Sequence, residues 1–436
     1  MKNMHTNLKT IALILAIAFS VLSSSCTATR VSLGRKLKAA SATFNVLDYG
    51  AKGDGHADDT KAFEGAWEAA CKVEGSTMVV PYGSVFLVKP VSFSGPNCEP
   101  NIAFQLDGKI IAPTSSAAWG SGTLQWLEFT KLKKITIRGK GVIDGQGSVW
   151  WNDSPTSTTE VMLESSGRLP STKPTALRFY GSDGVTVTGI TIQNSQQTHL
   201  KFDSSTNVQV FDINVSSPGD SPNTDGIHLQ NSQNVVIYSS TLACGDDCIS
   251  IQTGCSDVYV HNVNCGPGHG ISIGSLGKEN TKACVRNITV RDVTIKNTLT
   301  GVRIKTWQGG SGSVQNIMFS NVQVSGVETP ISIDQYYCDG GKCRNESSAV
   351  AVSGIQYVNI KGTYTKEPIY FACSDSLPCT GITLDTIQLQ ASQNPNNVPF
   401  CWEAFGELKT KTVPPVECLQ SGNPSKSGFA SNIDSC

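Results

Sequence analysis

Three acidic residues and a histidine recur at one interval in the middle of the chain. Asn223-Thr224-Asp225-Gly226, Gly245-Asp246-Asp247-Cys248 and Gly268-His269-Gly270 set Asp225, Asp247 and His269 22 residues apart, twice in succession. Arg303-Ile304-Lys305 begins 34 residues after His269, and Tyr337 lies 34 residues after Arg303. Carboxyl groups that share a site do not all ionise comfortably, so one holds a proton near neutral pH. That group can donate to a leaving oxygen while the others activate water, which is the acid–base chemistry of glycosidic bond cleavage. Arg303 and Lys305 add positive charge for an anionic substrate, with arginine suited to bidentate carboxylate contact. His269 can tune the acid or contact sugar. Taken singly, each motif is weak: NTDG is an ordinary turn, and GDD often caps or binds calcium. Their weight comes from the shared interval.

An interval of this kind needs an architecture that repeats it. Val185-Thr186-Val187-Thr188-Gly189-Ile190-Thr191-Ile192 is echoed by Val208-Gln209-Val210-Phe211-Asp212-Ile213-Asn214-Val215, and similar runs follow to Ile382–Leu389. With Val187, Val210, Ile237, Val260, Val290 and Phe319 taken as equivalent, the steps are 23, 27, 23, 30 and 29 residues. A β-strand unit of this period cannot bury its apolar face alone, and stacking copies makes one continuous core. The expected fold class is therefore all-β, a right-handed parallel β-helix. Leucine-rich repeats would show Leu at fixed offsets, and propeller blades run to about 40 residues or more. Residues one turn apart in such a stack lie about 4.8 Å apart, which brings Asp225, Asp247 and His269 to one side. Strand alternation puts Arg303 and Lys305 on the same face and Ile304 in the core.

The ends of the stack need covers. Phe44–Gly50 reads as a strand and Ala51–Gly55 as a turn. Asp58-Asp59-Thr60 can cap a helix to about Cys71, with Phe63, Trp67 and Ala70 at helical spacing. This helix would shield the first rung. The polar stretch from about Trp150 to Pro174 reads as a surface loop. After about Asn394 the register is lost, and Cys401, Cys418 and Cys436 suggest a disulfide-stapled C-terminal cover.

The chain has 436 residues, 39% hydrophobic and 16% charged, with 41 glycines and a formal net charge of −1. No basic field exists to hold nucleic acid. Residues 1–28 have the short basic, apolar and small-residue zones of a secretory signal. Residues 29–42 form a basic leader, and 43–436 a single domain with no membrane contact after signal cleavage. Of 15 cysteines, loss of Cys26 leaves 14, an even set that implies disulfides in a secreted chain. Close pairs are Cys71 with Cys98, Cys248 with Cys265 and Cys373 with Cys379. Sequons at Asn152, Asn214, Asn287 and Asn345 fit a glycoprotein.

Asn223-Thr224-Asp225, Gly245-Asp246-Asp247, Gly268-His269-Gly270 and Arg303-Ile304-Lys305 resemble the four signature motifs of glycoside hydrolase family 28, the polygalacturonases. Asp334-Gln335-Tyr336-Tyr337-Cys338 is similar to the segment with the family's tyrosine, which matches Tyr337. Asn45-Val46-Leu47-Asp48-Tyr49-Gly50-Ala51 through Cys71 resembles the plant members, and the likeness runs from about residue 44 to 436. The resemblance implies a secreted, monomeric enzyme of the cell wall or apoplast that hydrolyses α-1,4-linked galacturonan in pectin. It implies inversion, endo action, and neither metal nor other cofactor. By the same resemblance Asp246 is the general acid, Asp225 and Asp247 activate water, and His269 assists. Asn223, Arg303, Lys305 and Tyr337 bind the substrate's uronate. One-rung stacking sets carboxylates about 5 Å apart, while inverting pairs are usually about 6.5–9.5 Å apart, so inversion rests on the resemblance. The rivals are a β-helix pectate or pectin lyase, cutting by elimination and often using calcium, and a wall-binding solenoid without activity.

Overall fold

Val187, Val210, Ile237, Val260, Val290 and Phe319 lie in one column, each paired in register with the next by parallel strands. The column extends down through Ile137, Phe104, Met78 and Phe44, and up through Tyr357, Leu384 and Leu408. The computed structural model describes residues 42–120, 124–151, 172–339, 343–392, 397–422, 424 and 436. The expected signal at 1–28, nearly all of the leader and most of the insertion after Trp150 lie outside the described residues. Ala42–Cys436 forms one compact unit, wound as a right-handed parallel β-helix.

One sheet of 19 strands and another of 11 make the walls. The 11-stranded sheet runs rung by rung from Val91–Ser94 to Phe400–Trp402 and carries the site; it is called the groove sheet below. On its inner face Phe93, Phe129, Phe179 and Phe202 stack with ring centroids 4.7, 5.3 and 5.2 Å apart. Leu229, Ile251, Ile273, Ile304, Ile333 and Phe371 continue that column. Corners between strands fall on Asn and Asp at positive φ, which these residues tolerate better than most. Asp257, Asn287 and Asn316 stack at one such corner, with side-chain bonds of 2.9 and 2.7 Å. The amide of the Asn287 sequon is therefore part of a ladder, whereas Asn345 is exposed outside any strand.

The capping helix spans Thr60–Cys71 and buries Phe63 and Trp67. Trp67 packs against Phe93 and Phe129 at 5.3 and 5.6 Å, which seals the first rung of the phenylalanine stack. Asp59 occupies the N-cap position without a side-chain cap bond. Its carboxylate instead accepts from the backbone of Lys52 and Gly53 in the preceding turn, and Asp58 accepts from the Thr60 amide.

The C-terminal segment corrects the expectation of lost register. Phe400–Trp402 and Ala404–Leu408 add one more rung on Tyr370–Ala372 and Cys379–Leu384. Both strands are too short to show alternation. The cover proper is the segment after Leu408, bridged at Gln388–Val413 and Phe405–Gln420. Among the described residues six disulfides form, including the three expected pairs and Cys284–Cys436, Cys338–Cys343 and Cys401–Cys418. The even count does not mean complete pairing: Cys244 and Cys255 are free and buried, where cysteine acts as a small apolar filler. Among the described residues no helix is long and apolar enough to cross a membrane.

Phe179 is fully buried between two stacked rings. Phe179→Ala should cost about 3–5 kcal/mol, read as a lowered denaturant midpoint, with the far-ultraviolet spectrum of the folded variant unchanged.

Candidate active site

Asp225, Asp247 and His269 each stand two residues before Ile227, Ile249 and Ile271, which pair in consecutive rungs. Backbone bonds tie the approach: Gly226 N to Asp247 O at 2.9 Å, and Cys248 N to Gly270 O at 2.8 Å. The 22-residue interval is one turn of the solenoid. The motif glycines permit this closeness. A Cβ on Gly245 would lie 1.9 Å from the Ser221 carbonyl oxygen. On Gly270, at φ +90°, it would lie 2.1 Å from that of Thr300. Arg303 is not the next member of the His269 column. Gly268 bridges Thr298 and Ile271 pairs with Val302, so Leu299 and Thr300 lie over His269, while Arg303 stands over Ser272.

Ile304 is fully buried, and Arg303 and Lys305 turn together to the opposite face. Both meet Asp247. Its Oδ1 accepts from Ser272 Oγ at 2.7 Å and Arg303 Nη2 at 2.8 Å, and its Oδ2 accepts from Lys305 Nζ at 2.9 Å. The Asp247 side chain is only 3% exposed, so its charge is met by two cations where water is nearly absent. Lys305 Nζ also lies 5.1 Å from the centre of the Tyr337 ring, and Tyr337 packs edge-on against Trp307 at 5.6 Å. Tyr337 thus joins the cluster from the turn after Asp334.

Asp246, the neighbour of Asp247 in sequence, has a different environment. His269 Nδ1 is 2.9 Å from its Oδ1, and Asn223 Nδ2 donates to its Oδ2 at 3.3 Å. Burial raises the Asp246 carboxyl, but the bond and charge of His269, helped by Lys305, outweigh it and bring it down to about 2. Asp225 goes the other way. Burial raises its carboxyl well above the usual range, and the charges of Asp246 and Asp247 add to the effect. Its neighbour His228, with Nδ1 3.0 Å from Asp225 Oδ2, offers no offsetting charge. Burial and the charge of Lys201 push that imidazole down to about 3. Asp225 and Asp246 are thus pushed in opposite directions, with burial disfavouring the charged form of Asp225.

The structure brings together every residue expected from the motifs: Asn223, Asp225, Asp246, Asp247, His269, Arg303, Lys305 and Tyr337. His228, Ser272 and Lys201 belong with them and were missed. Each is an outward polar residue on a groove strand, and His228 and Ser272 sit between buried Ile227 and Leu229, or Ile271 and Ile273. The alternation that singled out Arg303 and Lys305 would have found them. Asp246, Asp247 and His269 each place a potential ligand atom within 4.8 Å of the others. Arg303 and Lys305 already occupy both oxygens of Asp247, and their charge opposes a cation there. The arrangement suits acid–base chemistry on an anionic substrate.

A family model described as glycosyl hydrolases family 28 matches residues 71–402. The chain is 42% identical over 380 residues to a probable polygalacturonase of Arabidopsis thaliana, across 86% of this chain and 84% of that protein. It is also 42% identical to polygalacturonase-2 of Solanum lycopersicum, across 79% of this chain and 74% of that protein. Among solved structures it is similar to an endo-xylogalacturonan hydrolase from Aspergillus tubingensis. The TM-score is 0.70 at 22% identity, covering 85% of this chain and 100% of that one.

Removing the raised Asp225 carboxyl should stabilise the fold. A raised carboxyl favours the folded state less as pH climbs from the unfolded value of about 3.9 through the folded one. Asp225→Asn should therefore melt higher than the parent near pH 7, with the gap closing as pH falls below about 4. Calorimetry across pH measures it. His228→Ala leaves Asp225 without its side-chain partner and should lower kcat more than it changes KM, in reducing-end assays.

Proposed function

The chain belongs to glycosyl hydrolase family 28, and from that premise we propose that it hydrolyses α-1,4-galacturonosidic bonds of polygalacturonan in pectin. The observation that carries this reading is the cation pair on Asp247. Arg303 and Lys305 concentrate positive charge beside adjacent carboxyls in unlike environments. A guanidinium has five donor hydrogens, and Arg303 uses Nε and Nη2 within the site. Donors remain for a substrate uronate at the rung where Lys305 meets the Tyr337 ring.

Asp246 is the proton donor in this proposal. Its side chain is 18% exposed against 3% for Asp247, so it reaches the groove where a leaving oxygen would lie. Asp225, whose charged form burial disfavours, is the source of the proton. A bound uronate weakens the pull of Lys305 and His269 on Asp246, which raises that carboxyl and moves the proton toward the leaving oxygen. Asp225 and Asp247, both then ionised, orient and deprotonate the attacking water from the other side of the sugar, giving inversion. His269 positions Asp246 through the Nδ1 bond, and Asn223 steadies its second oxygen. No cofactor takes part in these steps.

Secretion to the cell wall is the proposed setting. The N-terminal apolar segment and the six disulfides support it, since such bonds persist in oxidising compartments. Endo action is supported by outward side chains on both sides of the cutting rung: Arg178 and Lys201 before it, Tyr370 and Phe400 beyond it. The protein is proposed to act as a monomer.

Asp246→Asn should reduce reducing-end release from polygalacturonate at least about 10²-fold in a folded variant that melts lower than the parent near pH 7, because the charge-assisted bond to His269 is lost. Products from the parent should be mixed oligomers lacking a new ultraviolet-absorbing double bond. Such a double bond would establish elimination and sink hydrolysis, and monomer as the sole product would sink endo action.

A further inference from the structure

Beyond Lys305 the groove sheet continues for three rungs: Thr329–Asp334, Ile369–Ala372 and Phe400–Trp402. Two outward columns cross them. One runs Arg303, Ser332, Tyr370, Phe400, and the other Lys305, Asp334, Ala372, Trp402. At about 4.8 Å per strand, the last rung lies about 14 Å from the cation rung. Along that distance the groove changes from cationic to aromatic.

The aromatic end is exposed yet held in place. Phe400 is 43% and Trp402 49% exposed. Tyr370 stacks on Phe400 with centroids 5.2 Å apart. Trp402 Nε1 donates to Asp375 Oδ1 at 2.8 Å, and the Tyr336 hydroxyl donates to Asp375 Oδ2 at 3.1 Å. The indole edge is thereby anchored while the ring remains open. Clustered exposed aromatic rings on one face are candidates for a ligand site, and fixed aromatic faces suit the CH-bearing face of a sugar ring.

The charges around this end are acidic. Asp334 and Glu367 bring negative charge toward the Tyr370 hydroxyl, and Asp375 sits at the indole edge of Trp402. The cations nearby are already engaged or exposed: Lys305, the in-register neighbour of Asp334, and Arg303 are both bonded to Asp247, and Lys366 beside Glu367 is exposed. A free uronate on the platform would meet like charge. A methyl-esterified uronate would bring no charge, and its methyl group would gain contact with Phe400 and Trp402.

We propose that the Tyr370–Phe400–Trp402 platform is a subsite for a methyl-esterified galacturonate residue, with its last rung three rungs beyond Arg303 and Lys305. It rests on the pectin-hydrolase reading above. The groove is then zoned, demanding a free carboxylate at Arg303 and Lys305 and favouring an ester at its C-terminal end.

The full chain is assayed on fully de-esterified polygalacturonate and on partially methyl-esterified polymer of matched length. In Phe400→Ala and Trp402→Ala, the ratio of kcat/KM on esterified to de-esterified substrate should fall about fivefold to tenfold. Trp402→Phe, which keeps a ring, should restore most of that ratio. Melting curves establish folding, and Phe400→Ala decides the matter where Trp402→Ala does not fold. An unchanged ratio, whether both rates fall equally or neither falls, overturns the ester subsite. A parent protein that hydrolyses neither polymer overturns the pectin-hydrolase reading instead.

Discussion

A strand inside a parallel stack has neighbours on both edges and an apolar face turned inward, so its register cannot slip by one residue without turning every side chain over. The rest of the structure depends on that constraint. The column from Phe44 to Leu408 and the phenylalanine stack at Phe93 to Phe202 enforce it from inside. Asparagines and aspartates at positive φ enforce it at the corners. With register held, Asp225, Asp247 and His269 have no freedom to drift apart, because each is two residues from a buried isoleucine that is itself fixed. The geometry of the site is a by-product of core packing.

Register places the carboxyls, and their partners separate them. Asp247 has two cations and a hydroxyl, Asp246 a histidine and an amide, Asp225 a neutral imidazole. Three groups of the same chemistry are thereby set to different tasks. The separation has a cost, since Asp225 is buried with no cation bonded to it. Burial there disfavours the charged form, so the fold is less stable than it would be with a neutral group in that place.

Much of this was legible in the sequence, for identifiable reasons. The six equivalenced residues from Val187 to Phe319 fell in one column because long strands with strict alternation leave little choice of register. The motif residues converged because the interval between them was one turn. The details that escaped reading have local causes. The turn from His269 to Arg303 is longer than its predecessors, so linear spacing pointed past Thr300 to Arg303. The last rung is built on a three-residue and a five-residue strand, too short for a period to show. His228 and Ser272 carry no motif, and only their place between buried apolar residues distinguishes them. Cys244 and Cys255 were lost to parity, since an even count is compatible with two thiols buried apart from any bridge.

The same repetition explains why the chemistry belongs in the middle of the stack. An end rung has one partner edge and relies on a cover, here the Thr60–Cys71 helix at one end and the bridged tail at the other. A middle rung is clamped on both sides, which suits a site where misplacement of about 1 Å can cost 10²-fold in rate. A linear polymer also needs contacts on both sides of the bond to be cut. Rungs about 4.8 Å apart supply a ladder of outward positions, each free to change because the core lies on the opposite face. Lys201, Arg303 and Phe400 are the same structural position on different rungs. One backbone position thus carries a cation on two rungs and an aromatic ring on another without disturbing the core.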